Sequence, residues 1–171
     1  MSRRKETKVA ALVLSLAVLA MFLLSKLLGW DMVAWGITND SSWPHRFSYH
    51  FAHASLIHVG LNAWCLLSIV FTFDVPMSYL LWAYALASAC PCSMIGEQPT
   101  VGLSGICFCL LGMVSWQAKK LRYHICIVLF IAIGYACSIL FHIAIGNLLH
   151  IYCYVAGVTV GFLNSPAPWL K

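Results

Sequence analysis

Six apolar runs, separated by short polar, basic or proline-bearing breaks, leave this 171-residue chain few ways to fold. The runs are continuous and long. A transmembrane barrel would instead need short alternating segments, so membrane helices are favoured. Composition agrees: 62% of residues are hydrophobic and 9% charged, against roughly half and a quarter in soluble domains. The chain reads as an all-α integral membrane protein folded as a single domain over 1–171. Its helices are expected at about 9–28, 56–73, 77–89, 103–118, 125–141 and 148–163.

The formal charge of +5 sits at the ends of these runs and is no sign of nucleic-acid binding. Arg3, Arg4, Lys5 and Lys8 precede the first run, Lys119, Lys120 and Arg122 follow the fourth, and Lys171 ends the chain. Basic clusters set topology, so both termini are expected in the cytoplasm and the loop from Gly29 to about Tyr49 outside. Lys26 and Arg46 then fall on the outer side, where each can snorkel to the interface. The first run is longer than a signal-peptide core and lacks a small-x-small cleavage site, so it is read as a retained helix. The eight cysteines show no metal-ligand spacing and read as buried thiols, with no role given to Cys90-Pro91-Cys92. His45 and His50 lie in or beside the outer loop and need no special account. His124 and His142 lie near helix ends and read as interfacial.

Four polar residues do not belong in lipid: His58 and Asn62 on the second run, Ser104 on the fourth, and His150 on the sixth. His58 and Asn62 share a helix face at i and i+4. Counting back from the inner helix ends at 1.5 Å per residue places Ser104 roughly 22 Å up, His58 and His150 roughly 24 Å, and Asn62 roughly 18 Å. All four occupy one layer near the outer surface of a core about 30 Å thick. Singly, each could be an interhelical hydrogen bond. Together they point to function, because polar groups gathered inside a membrane usually serve one.

Small residues suggest how they meet. Gly102, Gly105 and Gly112 lie on the fourth run, and His150, Cys153, Gly157 and Gly161 form one stripe on the sixth. If the stripe packs on the fourth helix, His150 comes within reach of Ser104. A serine becomes a nucleophile when a neighbouring base takes its proton. The five acids, Glu6, Asp31, Asp40, Asp74 and Glu97, all lie outside the apolar runs, which favours a Ser–His dyad over a triad. The Ser104 N–H, the His58 imidazole and the Asn62 amide are the available oxyanion donors.

These residues resemble the rhomboid family of intramembrane serine proteases. His53-Ala-Ser-Leu-Ile-His58-Val-Gly-Leu-Asn62 is similar to the family's HxxxxHxxxN pattern, Gly102-Leu103-Ser104-Gly105 to its GxSG motif, and His150 with Gly157 and Gly161 to its HxxGxxxGxxxG helix. The resemblance implies a six-transmembrane-helix bundle, Ser104 as nucleophile and His150 as general base and acid. It implies His58 and Asn62 as oxyanion stabilisers, His53 as a structural residue, and Phe108 as an aromatic group packed on the catalytic histidine. Substrates would be transmembrane segments of membrane proteins, cut within the bilayer of a bacterial inner membrane without cofactor or metal; oligomeric state stays open. A haem or metal protein using His53, His58, His142 and His150 is disfavoured, because these residues do not pair at matching depth.

Two departures from the pattern bear on function. Trp43 and Arg46, adjacent in the family, are separated here by Pro44 and His45. Cys153 stands where the family favours the first glycine after the histidine. A shifted register would put Tyr154 at the histidine position and leave an inactive relative that binds transmembrane helices. The His150 register keeps the longer small-residue stripe and places Asn147 three residues before the histidine.

Overall fold

A computed structural model describes residues 3–118, 121–141 and 146–164. Lys119, Lys120, His142 and Lys171, named above, lie outside the described residues. The described residues are helical, with no strand among them. The helices are α1 (Arg3–Leu28), α2 (Trp43–Ser48), α3 (Leu56–Thr72), α4 (Met77–Ser88), α5 (Ser104–Val114), α6 (Leu121–Phe141) and α7 (Asn147–Asn164). Helices α1 and α6 begin several residues before their apolar runs, because the Arg, Lys and Glu that precede those runs are themselves good helix formers. By length and apolarity α1 alone could cross a bilayer among the described residues, while α2 and α3 form a pair bent by 89°.

Helix α5 is the centre of the packing. Nearly all of its side chains are buried, and it contacts α3, α4 and above all α7. Helix α1 packs against α3 and α4, whereas α6 joins the bundle through α7. The tight α5–α7 crossing has a direct cause in three glycines. A Cβ at Gly112 would strike the Tyr154 carbonyl, one at Gly157 the Cys109 carbonyl, and one at Gly161 the Met113 carbonyl, the last at 2.5 Å. Backbone therefore lies on backbone, and the two helices run side by side in the same direction. Close approach at small residues gains dispersion contact that lipid-facing leucines cannot supply.

The loop before α3 is built rather than trailing. Ile37 and Thr100 exchange both backbone hydrogen bonds at 2.9 Å, and the Gly102 N–H donates to the Tyr49 carbonyl at 3.0 Å. Arg46, expected to snorkel outward, instead turns inward and is buried. Its guanidinium donates to the Cys90 carbonyl at 2.6 Å and approaches Cys92 Sγ at 2.7 Å. Cys90 follows the C-cap of α4, and its carbonyl is free to take the guanidinium, which gives the Cys90-Pro91-Cys92 stretch a role. His50 is fully buried as well. Its Nε2 lies 3.0 Å from Ser88 Oγ, and its ring lies against Tyr49 with centroids 3.8 Å apart and planes tilted by 37°.

The crossing predicts a sharp contrast between two glycines. Gly157→Val should destabilise the folded protein by roughly 3 kcal/mol or more, since the neighbour is backbone and cannot yield. Gly60→Ala on α3, where a Cβ meets nothing within 4 Å, should leave stability unchanged or raise it by up to about 1 kcal/mol. Thermal unfolding of the two variants in detergent checks both. Acid should destabilise too: burial holds the His50 imidazole down to about 3, so the unfolded chain takes its proton first. Stability should fall as pH drops from about 6.5 toward 3, with a shallower fall in His50→Gln.

Candidate active site

Ser104 is the first residue of α5, and Leu103 is its cap. The position matters for two reasons. N–H groups in the first turn of a helix have no intrahelical acceptor, and the helix dipole presents its positive end there. Gly102, just before, has φ of +109°, a conformation that side-chain-bearing residues rarely adopt. A Cβ at 102 would also sit 2.8 Å from Asn62 Nδ2 and 3.0 Å from His58 Nε2. Both donors therefore reach the same small space beside the start of α5, and glycine is what keeps it open.

On α7 the glycine register carries His150 to the level of Ser104. His150 Nε2 lies 2.8 Å from Ser104 Oγ, hydrogen-bond distance. The Phe108 ring, one turn below Ser104, stacks on the imidazole with centroids 4.5 Å apart and planes 24° from parallel. Tyr154 sits one turn further along α7, with its carbonyl facing Gly112. Cys153 is fully buried and is small enough to lie within the stripe without forcing the helices apart.

Asn62 is buried, and its Nδ2 has no hydrogen-bond partner among the described residues. A buried amide donor left unmade costs about 1–3 kcal/mol, so an acceptor supplied by a ligand would relieve it. The Asn62 backbone carbonyl accepts from Cys107 Sγ at 3.7 Å. Ser55 caps α3 by accepting from the His58 N–H at 3.1 Å, fixing the turn that carries His58. The His53 ring lies edge-on to His58, with centroids 5.2 Å apart. Burial, and then the neighbouring His58, push His53 down to about 4. It is a neutral packing group at neutral pH.

Ser104, His150, His58, Asn62 and Phe108 line one cavity of about 650 Å³, opening between α3, α5, α6 and α7. Its walls are chiefly apolar, including Leu61, Trp64, Ile69, Leu111 and Ile131. Three of the carboxylates are engaged elsewhere: Asp31 with the Val33 N–H, Asp40 with the Thr38 hydroxyl, and Asp74 with Arg4. An imidazole beside a serine hydroxyl, with side-chain and backbone donors around it, can accept a proton and stabilise an alkoxide-like oxygen.

Tyr49 was invisible to motif reasoning. Its carbonyl holds Gly102, its hydroxyl donates to the Ala87 carbonyl at 3.2 Å, and that hydroxyl lies 3.2 Å from where a Cβ on Gly105 would be.

The family model described as the Rhomboid domain matches residues 40–167. No curated protein matches the chain.

The orphan amide gives a test of its own. Asn62→Ala should leave the fold intact and lower any Ser104-dependent turnover by about 100-fold, measured as kcat on a fluorogenic transmembrane peptide. Asn62→Leu, which fills the space with carbon, should do no better.

Proposed function

This chain belongs to the rhomboid family, and we propose that it is an intramembrane serine endopeptidase that cleaves transmembrane segments of membrane proteins with a Ser104–His150 dyad. Family members are membrane proteins and generally serine proteases acting on membrane-protein substrates. The single observation that carries the proposal is the 2.8 Å separation of Ser104 Oγ and His150 Nε2 inside an otherwise apolar cavity. Helices α1, α3, α4, α5, α6 and α7 are the six proposed spans. The basic residues near both termini support a cytoplasmic position for them, with the site toward the opposite face.

The chemistry then follows in two halves. His150 Nε2 takes the Ser104 proton as Oγ attacks the scissile carbonyl. The resulting oxyanion is met by the Asn62 amide, the His58 ring and the Ser104 N–H at the positive end of α5. His150 returns the proton to the leaving amine, which leaves an acyl-serine. Water then enters, gives its proton to His150 and releases the new carboxyl end by the reverse sequence. Phe108 holds the imidazole ring flat during both transfers. The bent α3 start, pinned by Ser55 and His53, holds the donors in place. A substrate helix must unwind to bring its carbonyl to Ser104 Oγ, so segments with small or helix-breaking residues are the preferred substrates.

Ser104→Ala and His150→Ala should each cut turnover of a model transmembrane substrate to about a thousandth or less, with expression and thermal stability held. Purified Ser104→Ala protein that cleaves at the normal rate would overturn the dyad.

A further inference from the structure

At the end of the bundle away from Ser104, the start of α1, the end of α3 and Gln117 enclose a polar notch of about 390 Å³. Arg4 and Lys8, one helical turn apart on α1, face Asp74 and Phe71 across it. Asp74 is clamped there. The Gln117 Oε1 accepts from its N–H at 3.0 Å, and the Gln117 Nε2 donates to its carbonyl at 3.1 Å. Its carboxylate is taken by Arg4 Nη2 at 2.5 Å. Lys8 has no such partner among the described residues; its ammonium rests 5.1 Å from the centroid of the Phe71 ring. Two cations thus share one carboxylate, and the notch keeps one uncompensated positive charge. Arg4, bound through one nitrogen, still has donors free to turn toward a second acceptor.

We propose that this notch binds the phosphate group of an anionic phospholipid. The charge calls for an anion, and the surroundings call for a lipid. Directly past Lys8 the outer face of α1 is apolar and exposed at Val9, Leu12, Val13 and Leu16, and Phe71 beside the notch is exposed as well. A lipid whose phosphate lies between Lys8 and Arg4 lays its acyl chains along that face. Basic pockets between membrane helices hold lipid headgroups by this combination of charge and adjoining apolar surface. Lys8 supplies the point charge; the Arg4–Asp74 pair fixes the far wall. The headgroup would tie the start of α1 to the end of α3, two elements that otherwise meet at this end through an exposed ion pair of little intrinsic strength and the Lys8–Phe71 contact. The inference rests on the membrane placement alone and is independent of any chemistry at Ser104.

The test is native mass spectrometry of the full chain in detergent, titrated with phosphatidylglycerol or phosphatidylcholine. One phosphatidylglycerol should be retained in preference to phosphatidylcholine. Lys8→Gln should weaken that retention about fivefold, whereas Lys8→Arg keeps it. Lys5→Gln, an exposed lysine on the same helix that does not line the notch, should leave it unchanged. Inorganic phosphate at millimolar concentration is the second arm. If it binds at the same Lys8-dependent site and displaces the lipid, the site takes phosphate but its source is free in solution. Lys8→Gln protein that retains phosphatidylglycerol as well as the wild type would overturn the proposal. So would equal weakening by Lys5→Gln, which would mean diffuse surface charge, or equal retention of phosphatidylcholine.

Discussion

Everything at the site depends on two helix backbones touching. Gly112 on α5 and Gly157 and Gly161 on α7 remove the side chains that would hold the helices apart, and carbonyls of one helix then lie against the glycines of the other. Such a contact has one register. A shift along the axis would drive a side chain into a backbone that cannot yield. With Gly157 set on Cys109 and Gly161 on Met113, the parallel run of the helices brings His150 level with Ser104. The 2.8 Å approach of their side chains follows from the register chosen by the glycines.

The second layer of the arrangement lies around α5's first turn. The loop before Ser104 is held by the Tyr49 carbonyl and by the paired Ile37 and Thr100, while α3 delivers Asn62 and His58 to the same space. The loop that holds Gly102 is in turn fastened to α4 by Arg46 and by the His50–Ser88 contact. Polar groups buried this deeply specify one geometry when they are satisfied. The Asn62 amide is left without a partner among the described residues, and it faces the space beside Gly102 at the start of α5. That unmade hydrogen bond leaves a buried donor open to an acceptor brought by a ligand.

Much of this was legible in the sequence, because membrane helices leave few alternatives. The apolar runs gave helices within a few residues of their observed bounds, since only a helix satisfies its own backbone in lipid. The four polar residues that line the cavity could be singled out by equal depth on three helices, a geometric argument that needs only the rise per residue. What escaped was everything set by tertiary contact in the outer loop. Arg46 read as a snorkelling cation because nothing local reveals that the Cys90 carbonyl waits 44 residues away. His50 drew no special account for the same reason, and Tyr49 holds Gly102 through its backbone carbonyl, which no residue pattern encodes.

The most direct test of the central claim is whether the α5–α7 register makes Ser104 a nucleophile. Wild-type protein in detergent, treated with a fluorophosphonate and mapped by peptide mass spectrometry, should carry one adduct on Ser104, and His150→Ala should carry none. Equal labelling of Ser104 without His150 would contradict the dyad. A Ser104 that stays unlabelled in the wild type would mean that the paired side chains serve only to hold two helices together.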